Sequence, residues 1–383
     1  MYYYIEHTSR FNCNTGIQRC VRSIARALIR IGIPLRPLVW DRQRSDFCAA
    51  SAADLNHLER WNGPKIESWA ESRLRLEVNE SHVTDNWLLI VELVSGPYQP
   101  SLPEIKKASN RLSLSVAWVF HDAIPLRFSQ LYGARSAVTA SHHAKYMAGL
   151  SQFEIVLANS YTTSIHLKTF LSKNKLPYSH VKALPLACEL MGVERCDIPT
   201  RFEEGEIVDL LCVSSLEPRK NHLGLLKAIS TLAAKERFPA RLTLVGWGND
   251  QRTINIVERA VEIDLPIRWE NNVDDNSLVQ LYRSSKLTIY PSLEEGFGLP
   301  VAESLWQRRP CICSRDGALG ELSVKGGCLG INTSNWYEIE GAIERFLHDE
   351  SLQVQLYKEV SLRPTRSWHT YSLEMCELLG IEL

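Results

Sequence analysis

Residues 286–304 have the sequence KLTIYPSLEEGFGLPVAES, and the fold class can be inferred outward from them. The first seven residues are mostly apolar, with no regular polar alternation, which predicts a strand buried on both faces of a sheet. Residues 299–307, LPVAESLWQ, predict a helix, and its first turn accommodates Pro300. A buried strand that leads directly into a helix is the building unit of parallel α/β sheets.

The same alternation runs through the second half of the chain. Further strands are predicted over 208–215, 241–248, 266–273 and 310–314, and further helices over 221–234, 251–263 and 275–285. The first half is similar, with a helix over 16–32 and buried strands over 86–93, 114–122 and 153–160. Apolar strands separated by helices predict doubly wound parallel sheets, here in two Rossmann-like α/β domains.

The domain boundaries follow from where this periodicity stops. We predict an N-terminal domain over 1–187, a linker over 188–206 and a C-terminal domain over 207–365. Residues 366–383 contain an amphipathic helix, and one alternative is that it crosses back to the first domain. Residues 41–85 are polar and give no clear prediction.

Charge is divided unevenly along the chain. Residues 1–190 contain 22 of the 43 Lys and Arg residues and 15 of the 44 Asp and Glu residues. Residues 191–383 contain the other 21 basic and 29 acidic residues. The first part is therefore basic by seven charges and the second acidic by eight. This pattern indicates either two domains with unlike surfaces or a basic half that meets an anionic partner or membrane.

The basic side of the predicted helix over 16–32 also allows two interpretations. Its apolar side carries Ile17, Cys20, Val21, Ile24, Ala25 and Leu28, and its other side carries Arg19, Arg22, Arg26 and Arg30. The arginine side is interpreted as a solvated face, with contact to an anionic membrane surface as the alternative.

Cysteine use and hydropathy favour a cytoplasmic protein, with peripheral attachment to the inner face of the membrane as the alternative. Ten cysteines occur without a CxxC pair, which predicts reduced thiols, several of them in the core. No apolar stretch reaches 18 residues, and the N-terminus does not resemble a signal peptide.

The chemistry of the opening stretch follows from its place at a strand end. Ligands bind at the carboxyl ends of parallel strands. Gly296 and Gly298 permit close backbone approaches, and the following helix presents its positive end, which favours a phosphate. The flanking carboxylates would repel phosphate, so Glu303 is assigned to a ribose diol and Glu295 to hydroxyls of a second sugar. Hydroxyl, phosphate and hydroxyl together indicate a nucleotide-sugar.

A diphosphate also requires positive charge. Arg219 and Lys220 follow another predicted strand, where Arg grips two phosphate oxygens and Lys acts as a point charge. Gly246 and Gly248 either let a nucleotide lie close or form a turn. Asp274 and Asp275 are interpreted as a turn and helix cap, so neither a metal site nor a cofactor is expected.

These residues resemble a known family. EEGFGLPVAES matches the Glu-x7-Glu signature of the family-4 glycosyltransferases, which are retaining enzymes of the GT-B fold, and SSLEPRKN is similar to their phosphate-binding segment. NTGIQRCVRSIARAL and VFHDAIPLRF resemble a subset found in bacterial polysaccharide clusters. The resemblance implies two Rossmann-like, doubly wound parallel-sheet domains that face each other across a cleft.

The resemblance also assigns roles by position. Glu303 would bind the donor ribose, Glu295 would contact the donor sugar, and Arg219 and Lys220 would neutralise the leaving diphosphate. In the first domain, His121 matches a histidine near the reacting carbon, and Gly16 matches a glycine loop that faces the diphosphate. The backbone amides assigned to sugar and diphosphate are those of Gly296, Phe297, Gly298 and Leu299.

The expected function is transfer of a hexose to a hydroxyl of a saccharide or lipid-linked saccharide in polysaccharide biosynthesis. GDP-mannose is the preferred donor, while UDP-sugars, dTDP-sugars and GDP-fucose stay open, and no nucleic acid partner is expected. Residues 41–110 are expected to shape the acceptor site. The alternatives are a sugar-nucleotide epimerase of the same architecture and a non-catalytic partner protein that binds nucleotide-sugars. A dehydrogenase is disfavoured, because no GxGxxG follows the first strand.

Overall fold

The computed structural model describes residues 1–67, 69, 87–94, 99–190, 192–197, 206–235, 238–248 and 250–383. The chain divides into two compact units: unit 1 combines Met1–Ala187 with Arg366–Leu383, and unit 2 is Cys188–Thr365. Parts of two predicted segments lie outside the described residues, namely 68, 70–86 and 95–98 of the acceptor region and 191 and 198–205 of the linker.

Unit 1 is built on a largely parallel sheet. Its strands are β1 (Tyr2–Tyr4), β2 (Arg36–Asp41), β3 (Asp46–Ala49), β4 (Trp87–Ile90), β5 (Ser115–Phe120), β6 (Ile155–Ala158) and β7 (Val181–Ala183). In the described part of unit 1 these seven strands have the order β3-β2-β1-β4-β5-β6-β7, and only the β2–β3 pair is antiparallel. The α-helices in the described part of the chain before residue 187 are α1 (Glu6–Arg10), α2 (Gly16–Arg30), α3 (Ala52–Glu59), α4 (Leu102–Arg111), α5 (Ile124–Arg127), α6 (Ser136–Gly149) and α7 (Tyr161–Lys173).

Unit 2 contains a second, fully parallel sheet. Its strands are β8 (Val208–Val213), β9 (Ala240–Val245), β10 (Ile267–Glu270), β11 (Leu287–Tyr290), β12 (Cys311–Ser314) and β13 (Cys328–Ile331). Its helices are α8 (His222–Ala233), α9 (Gln251–Glu262), α10 (Asp275–Ser284), α11 (Leu299–Trp306), α12 (Gly317–Ser323), α13 (Trp336–His348) and α14 (Glu350–Leu362).

The strand order of unit 2 creates a reversal point. Over the described residues the order is β10-β9-β8-β11-β12-β13, so the chain moves outward from β8 to β10 and then returns to β11 on the other side of β8. In such sheets ligands bind outside the carboxyl ends of the two strands at the reversal, here β8 and β11. The predicted pair of doubly wound parallel α/β domains is confirmed.

The last helix, α15 (Trp368–Leu378), packs against α2 in unit 1. Its Tyr371, Met375 and Cys376 side chains are fully buried. The Trp87 indole N–H donates to the Leu379 carbonyl at 3.1 Å, which fastens the end of this helix to β4. The C-terminal segment is therefore part of the core of unit 1.

Helix α2 corrects one prediction. Its apolar side is buried as predicted except for Ile17, which is half-buried, but Arg22, assigned to a solvated face, is only 2% exposed. The Arg22 guanidinium donates to Asn14 Oδ1 at 2.9 Å and to the His57 carbonyl at 3.0 Å, and lies 4.6 Å from the centre of the Trp61 ring. The segment after α3 covers this side of the helix, which the helical periodicity of α2 alone could not reveal.

The described part of the predicted linker packs on unit 2. Leu190 lies in a buried cluster with Leu211 and Tyr282, and the Trp306 indole N–H donates to the Val193 carbonyl at 2.7 Å. All ten cysteines are free thiols and seven are buried, as predicted for reduced core residues. Among the described helices, none combines the length and apolar character that crossing a membrane requires.

Candidate functional site

The segments that follow β8 and β11 meet at the reversal point of unit 2. After β8 the chain forms a single turn of 3-10 helix, Pro218–Lys220, and after β11 it runs through 291–298 to the start of α11. The Leu293 amide donates to the Arg219 carbonyl at 2.9 Å, which joins the two segments. This junction brings together Arg219, Lys220 and Glu295, three residues that the sequence assigned to one site.

The Glu295 carboxylate is the centre of this cluster. Its Oε1 lies 2.6 Å from Lys220 Nζ and 2.7 Å from Arg219 Nη1. It also accepts hydrogen bonds from Ser292 Oγ at 2.5 Å and Tyr290 Oη at 2.9 Å. Lys220 Nζ donates to Tyr290 Oη at 2.7 Å, so the phenol accepts from the lysine while it donates to the glutamate.

Burial and mutual charge set the protonation states of the cluster. Burial raises the pKa of Glu295, but the positive charges of Lys220 and Arg219 outweigh it and bring the pKa down to about 2. Burial lowers the pKa of Lys220, and the neighbouring Arg219 charge acts in the same direction against the attraction of Glu295. Burial also lowers the pKa of Arg219, but Glu295 and Glu217 reverse the effect and raise it. The glutamate is therefore ionised at neutral pH, and two cations surround it.

Further contacts fix the arginine and the turn that carries it. Arg219 Nη1 donates to the Glu294 carbonyl at 2.7 Å, and Nη2 lies 2.9 Å from Glu217 Oε1. Asn221 adopts a left-handed conformation with φ of 55°, and its side chain accepts from the Gly224 amide at 3.2 Å at the start of α8. These contacts hold the turn Pro218–Lys220 at both ends and fix Arg219 and Lys220 relative to the end of β8.

The loop between the two glutamates requires glycine. Gly298 has φ of +98°, and a Cβ atom there would lie 2.3 Å from Leu319 Cδ2. Phe297 is buried, Leu299 begins α11, and Gly296 lies in the bend before them. Glu303, in the second turn of α11, is 2% exposed and accepts a hydrogen bond from Tyr282 Oη at 3.2 Å.

Gly246 and Gly248 serve close packing between two chain segments. Gly246 has φ of +137°, and a Cβ atom there would lie 2.1 Å from the Ser214 carbonyl oxygen. A Cβ atom at Gly248 would lie 2.1 Å from the Leu216 carbonyl oxygen. The backbone of the segment after β9 therefore packs in direct contact with the backbone of the segment that leads from β8 to Arg219.

Two residues of unit 1, Gly16 and His121, were also assigned to the site. Gly16 is the first residue of α2 and is exposed. His121 follows β5, and its Nε2 lies 2.6 Å from the Val91 carbonyl, which can only accept, so Nε2 carries the proton. Burial lowers the pKa of His121, and the ring is neutral at physiological pH.

A buried acid that the sequence pattern did not single out follows Val91, whose carbonyl accepts from His121. Glu92 follows β4, and its carboxylate accepts from the backbone amides of His7 at 2.7 Å and Thr8 at 2.6 Å. Burial raises the pKa of Glu92 to about 7 against the effect of these hydrogen bonds. A carboxylate at the end of an otherwise apolar predicted strand was the available signal.

Two residues of the unit 2 cluster were also missed. Tyr290 and Ser292 were interpreted as parts of a buried strand, yet both bind Glu295. Their signal was position, since polar groups at the carboxyl end of a parallel strand face the ligand edge. Asp274 caps α10 as predicted, accepting from the Ser277 amide at 2.7 Å. Within the described ranges, no group of three or more His, Cys, Asp or Glu side chains could hold a metal ion.

Comparison with protein families matches residues 199–362 to the family described as Glycosyl transferases group 1. The chain carries a glycosyl transferases group 1 domain. This domain comprises almost all of unit 2 and includes the cluster of Arg219, Lys220 and Glu295.

Curated proteins similar to this chain include two from Escherichia coli. O-antigen chain mannosyltransferase B is 33% identical over 143 residues, which are 37% of this chain and 37% of the relative. Serotype-specific mannosyltransferase WbdA is 24% identical over 335 residues, which are 84% of this chain and 39% of the relative. In each case the match spans less than two fifths of the relative's length.

Two solved structures are similar in fold over nearly the whole chain. HepE from Anabaena, crystallised with UDP and glucose, has a TM-score of 0.67 at 14% identity and covers 99% of this chain and 98% of its own. Sucrose-phosphate synthase from Thermosynechococcus elongatus has a TM-score of 0.68 at 16% identity with the same coverage. These similarities concern the fold, and the predicted GT-B class is confirmed.

Proposed function

We propose that this chain is a retaining glycosyltransferase that transfers a hexose from a nucleotide-diphosphate sugar to a hydroxyl of a saccharide or lipid-linked saccharide in polysaccharide biosynthesis. The donor proposed first is GDP-mannose. The names of the two Escherichia coli relatives, both mannosyltransferases, support mannose as the sugar.

One observation carries the proposal: two buried cations and one carboxylate at the reversal point of a parallel sheet. The buried side chains of Arg219, Lys220 and Glu295 sum to one positive charge, whereas Glu217, which pairs with Arg219, is 35% exposed and screened by solvent, so the buried part of the cluster favours an anion. Among the described residues, Lys220 Nζ donates to two acceptors, Tyr290 and Glu295, whereas an ammonium carries three N–H donors. A diphosphate oxygen is the partner that suits the third.

The reaction uses this charge at the bond that breaks. The sugar C1–oxygen bond to the diphosphate breaks, and the pair of electrons leaves on the phosphate oxygen while the sugar becomes oxocarbenium-like. Arg219 and Lys220 stabilise the negative charge more in the transition state than in the ground state. The acceptor hydroxyl attacks C1 from the same face, and its proton passes to the departing phosphate oxygen. Retention follows without a protein nucleophile, and the two side chains supply the positive charge without a metal.

The remaining residues orient the two sugars. Glu303 in α11 binds the ribose diol, and Glu295 contacts the donor sugar while its Oε1 holds Arg219 and Lys220. The turn over 296–299 supplies backbone amides to the diphosphate. In unit 1, neutral His121 keeps its proton on Nε2 toward Val91, which leaves Nδ1 as an acceptor for a sugar hydroxyl.

The test is a donor screen followed by turnover. Thermal shift with GDP-mannose, GDP-fucose, UDP-glucose and dTDP-glucose identifies the donor, because a ligand that binds the folded state raises its melting temperature. Transfer to a lipid-linked saccharide is then followed by nucleotide release, and the anomeric configuration of the product by NMR. EDTA is expected to leave the rate unchanged. Retention of the donor configuration is expected.

A matched pair of lysine variants tests the role of the cluster. Lys220→Ala removes one stabilising donor and is expected to lower kcat by roughly 10²–10³. Lys235→Ala removes a half-exposed surface lysine of unit 2 and is expected to leave the rate unchanged. A protein that neither binds nor turns over any of these donors contradicts the proposal, and isomerisation of the donor without acceptor identifies an epimerase instead.

Peripheral contact with an anionic membrane is proposed for the basic first half of the chain. Its surplus of seven positive charges would attract anionic lipid. Flotation with liposomes that contain anionic lipid is expected to carry the protein upward, and flotation with neutral liposomes is not. Absence of co-flotation with either composition contradicts this part of the proposal.

A further inference from the structure

Trp247 is an exposed aromatic residue beside the diphosphate site. All ten tryptophans of the chain lie in its described part, and Trp247 alone among them is exposed, with 57% of its area accessible. Leaving so large an apolar surface in water forgoes its burial energy. The position of this side chain therefore calls for a functional explanation.

The backbone that carries Trp247 is rigidly fixed. It lies between Gly246 and Gly248, and a Cβ atom at either glycine would come within 2.1 Å of a backbone carbonyl oxygen of the facing segment. The Trp269 indole N–H donates to the Gly246 carbonyl at 2.9 Å. The Gly246 amide donates to the Glu270 carbonyl at 3.0 Å. The indole of Trp247 is thus presented on a backbone held from two sides.

Trp247 is also tied to the segment that carries the cations. Its carbonyl accepts a hydrogen bond from the Leu216 amide at 3.0 Å, and Leu216 lies three residues before Arg219. Trp247 follows the carboxyl end of β9, the neighbour of β8, so about 5 Å separates the two strand ends sideways. It lies on the side of β8 away from β11, whereas Glu295 and Tyr290 lie on the β11 side.

We propose that Trp247 is the stacking platform for the nucleobase of the donor. This inference rests on the proposed function and deepens it. A nucleoside diphosphate held by Arg219 and Lys220 carries a sugar at one end of its diphosphate and the nucleoside at the other. Glu295 on the β11 side suits the transferred sugar. Glu303, assigned to the ribose, faces Tyr282 of α10, and α10 packs with Leu211 of β8 and Val245 of β9. The base that the ribose carries therefore extends toward β9, where the indole offers a flat face. Every base has a π face, so the platform binds purines and pyrimidines alike.

Calorimetric titration with GDP, UDP and inorganic pyrophosphate tests this assignment. Trp247→Ala is expected to weaken binding of GDP and UDP by roughly tenfold to a hundredfold, the range typical of a lost base–aromatic stack. Its affinity for pyrophosphate, which has no base, is expected to stay within about twofold of the wild type. Trp247→Phe keeps a ring and is expected to retain most of the affinity for both nucleotides.

The matched control is Tyr337→Ala. Tyr337 is an exposed aromatic residue of unit 2, 64% accessible, and it follows β13 at the far edge of the sheet. This variant is expected to bind all three ligands as the wild type does.

The binding results that would contradict the platform differ from those that would contradict the proposed function. Unchanged affinity of Trp247→Ala for GDP and UDP overturns the platform. An equal loss for pyrophosphate also overturns it, because the tryptophan would then act only by positioning the cation turn. A wild-type protein that binds none of the three ligands overturns the proposed function, and the platform with it.

Discussion

At the scale of single residues, Glu295 keeps two cations inside the protein. Its pKa of about 2 lies below the ordinary value, so its stabilising effect is fully present above about pH 4.5 and is lost as the pH falls through the folded-state pKa. Replacing it by Gln keeps the shape but leaves Lys220 buried without a counter-charge and Arg219 with the partly exposed Glu217 alone. We expect Glu295→Gln to lower the free energy of unfolding by about 3 kcal/mol at pH 7, measured by urea denaturation.

The control for this variant is Glu344→Gln, which breaks a surface pair with Lys235 and should cost less than about 1 kcal/mol. The difference between wild type and Glu295→Gln should shrink as the pH is lowered from 5 toward 2, because the wild-type carboxylate then becomes protonated. A difference that is independent of pH over this range would contradict the assigned role of the charge.

Glu92 behaves in the opposite way. Burial raises its pKa to about 7, so between about pH 4.5 and 7 the folded state holds a proton that the unfolded state has released. The free energy of unfolding should therefore fall as the pH rises through this window, by on the order of 3 kcal/mol for this group. Chemical denaturation at pH 5 and pH 8 measures the fall.

Glu92→Gln cannot titrate and should remove this fall, although it costs stability overall because its NH₂ group would face a backbone amide. Glu377→Gln, an exposed glutamate on α15 of the same unit, should keep it. If the free energy of unfolding has the same pH dependence in the wild type and in Glu92→Gln, the pKa of Glu92 is not raised.

At the scale of elements, sequence patterns predicted what depends on local periodicity. The strands and helices of unit 2 from β8 to β12 lie within one or two residues of their predicted positions at most ends, because apolar runs and helical spacing are continuous there. The elements after β12, namely α12, β13, α13 and α14, were not predicted. Strand β1, Tyr2–Tyr4, was missed because three tyrosines in a row show no apolar period. Strands β2 and β3 were missed as a pair because their antiparallel pairing joins segments with polar residues between them.

The packing of β8 against the end of β9 depends on Gly246. We expect Gly246→Ala to destabilise unit 2 by at least about 2 kcal/mol, because φ of +137° is strained for alanine and the new Cβ would meet a backbone oxygen that cannot move aside. Gly341 lies within α13, and a Cβ atom added there would face open space, with no neighbouring side chain within 4 Å. Gly341→Ala should therefore stabilise the protein by roughly 0.5–1 kcal/mol.

Urea denaturation of both glycine variants checks this pair. Opposite signs are expected, and a Gly246→Ala protein as stable as the wild type would show that the approach of the two segments is not close.

At the scale of the whole molecule, the site joins residues that are distant in the chain. Lys220 and Glu295 are 75 positions apart and meet because β8 and β11 are neighbours in the sheet. Residue chemistry predicted that both serve one anion. It did not predict that Glu295 would bind the two cations directly, since that contact depends on strand order and on the turn Pro218–Lys220, which ends at Asn221.

The return of the chain to unit 1 also acts at this scale. Met375 on α15 is fully buried, and truncating a buried methionine to alanine typically costs about 2–5 kcal/mol. Because 366–383 belong to unit 1, we expect Met375→Ala to increase hydrogen exchange in peptides from 1–187 and to leave those from 188–365 unchanged. Mass spectrometry of the exchanged protein resolves the two sets of peptides.

The converse variant is Ile339→Ala, which truncates a fully buried side chain of α13 in unit 2. It should increase hydrogen exchange in 188–365 and leave that of 1–187 unchanged. The two variants should therefore affect opposite units. Faster exchange confined to 188–365 in Met375→Ala would mean that the last helix supports the other unit, and equal acceleration in both sets would mean that the two units open as one. Either result would contradict the division of the chain into one unit that combines Met1–Ala187 with Arg366–Leu383 and a second unit formed by Cys188–Thr365.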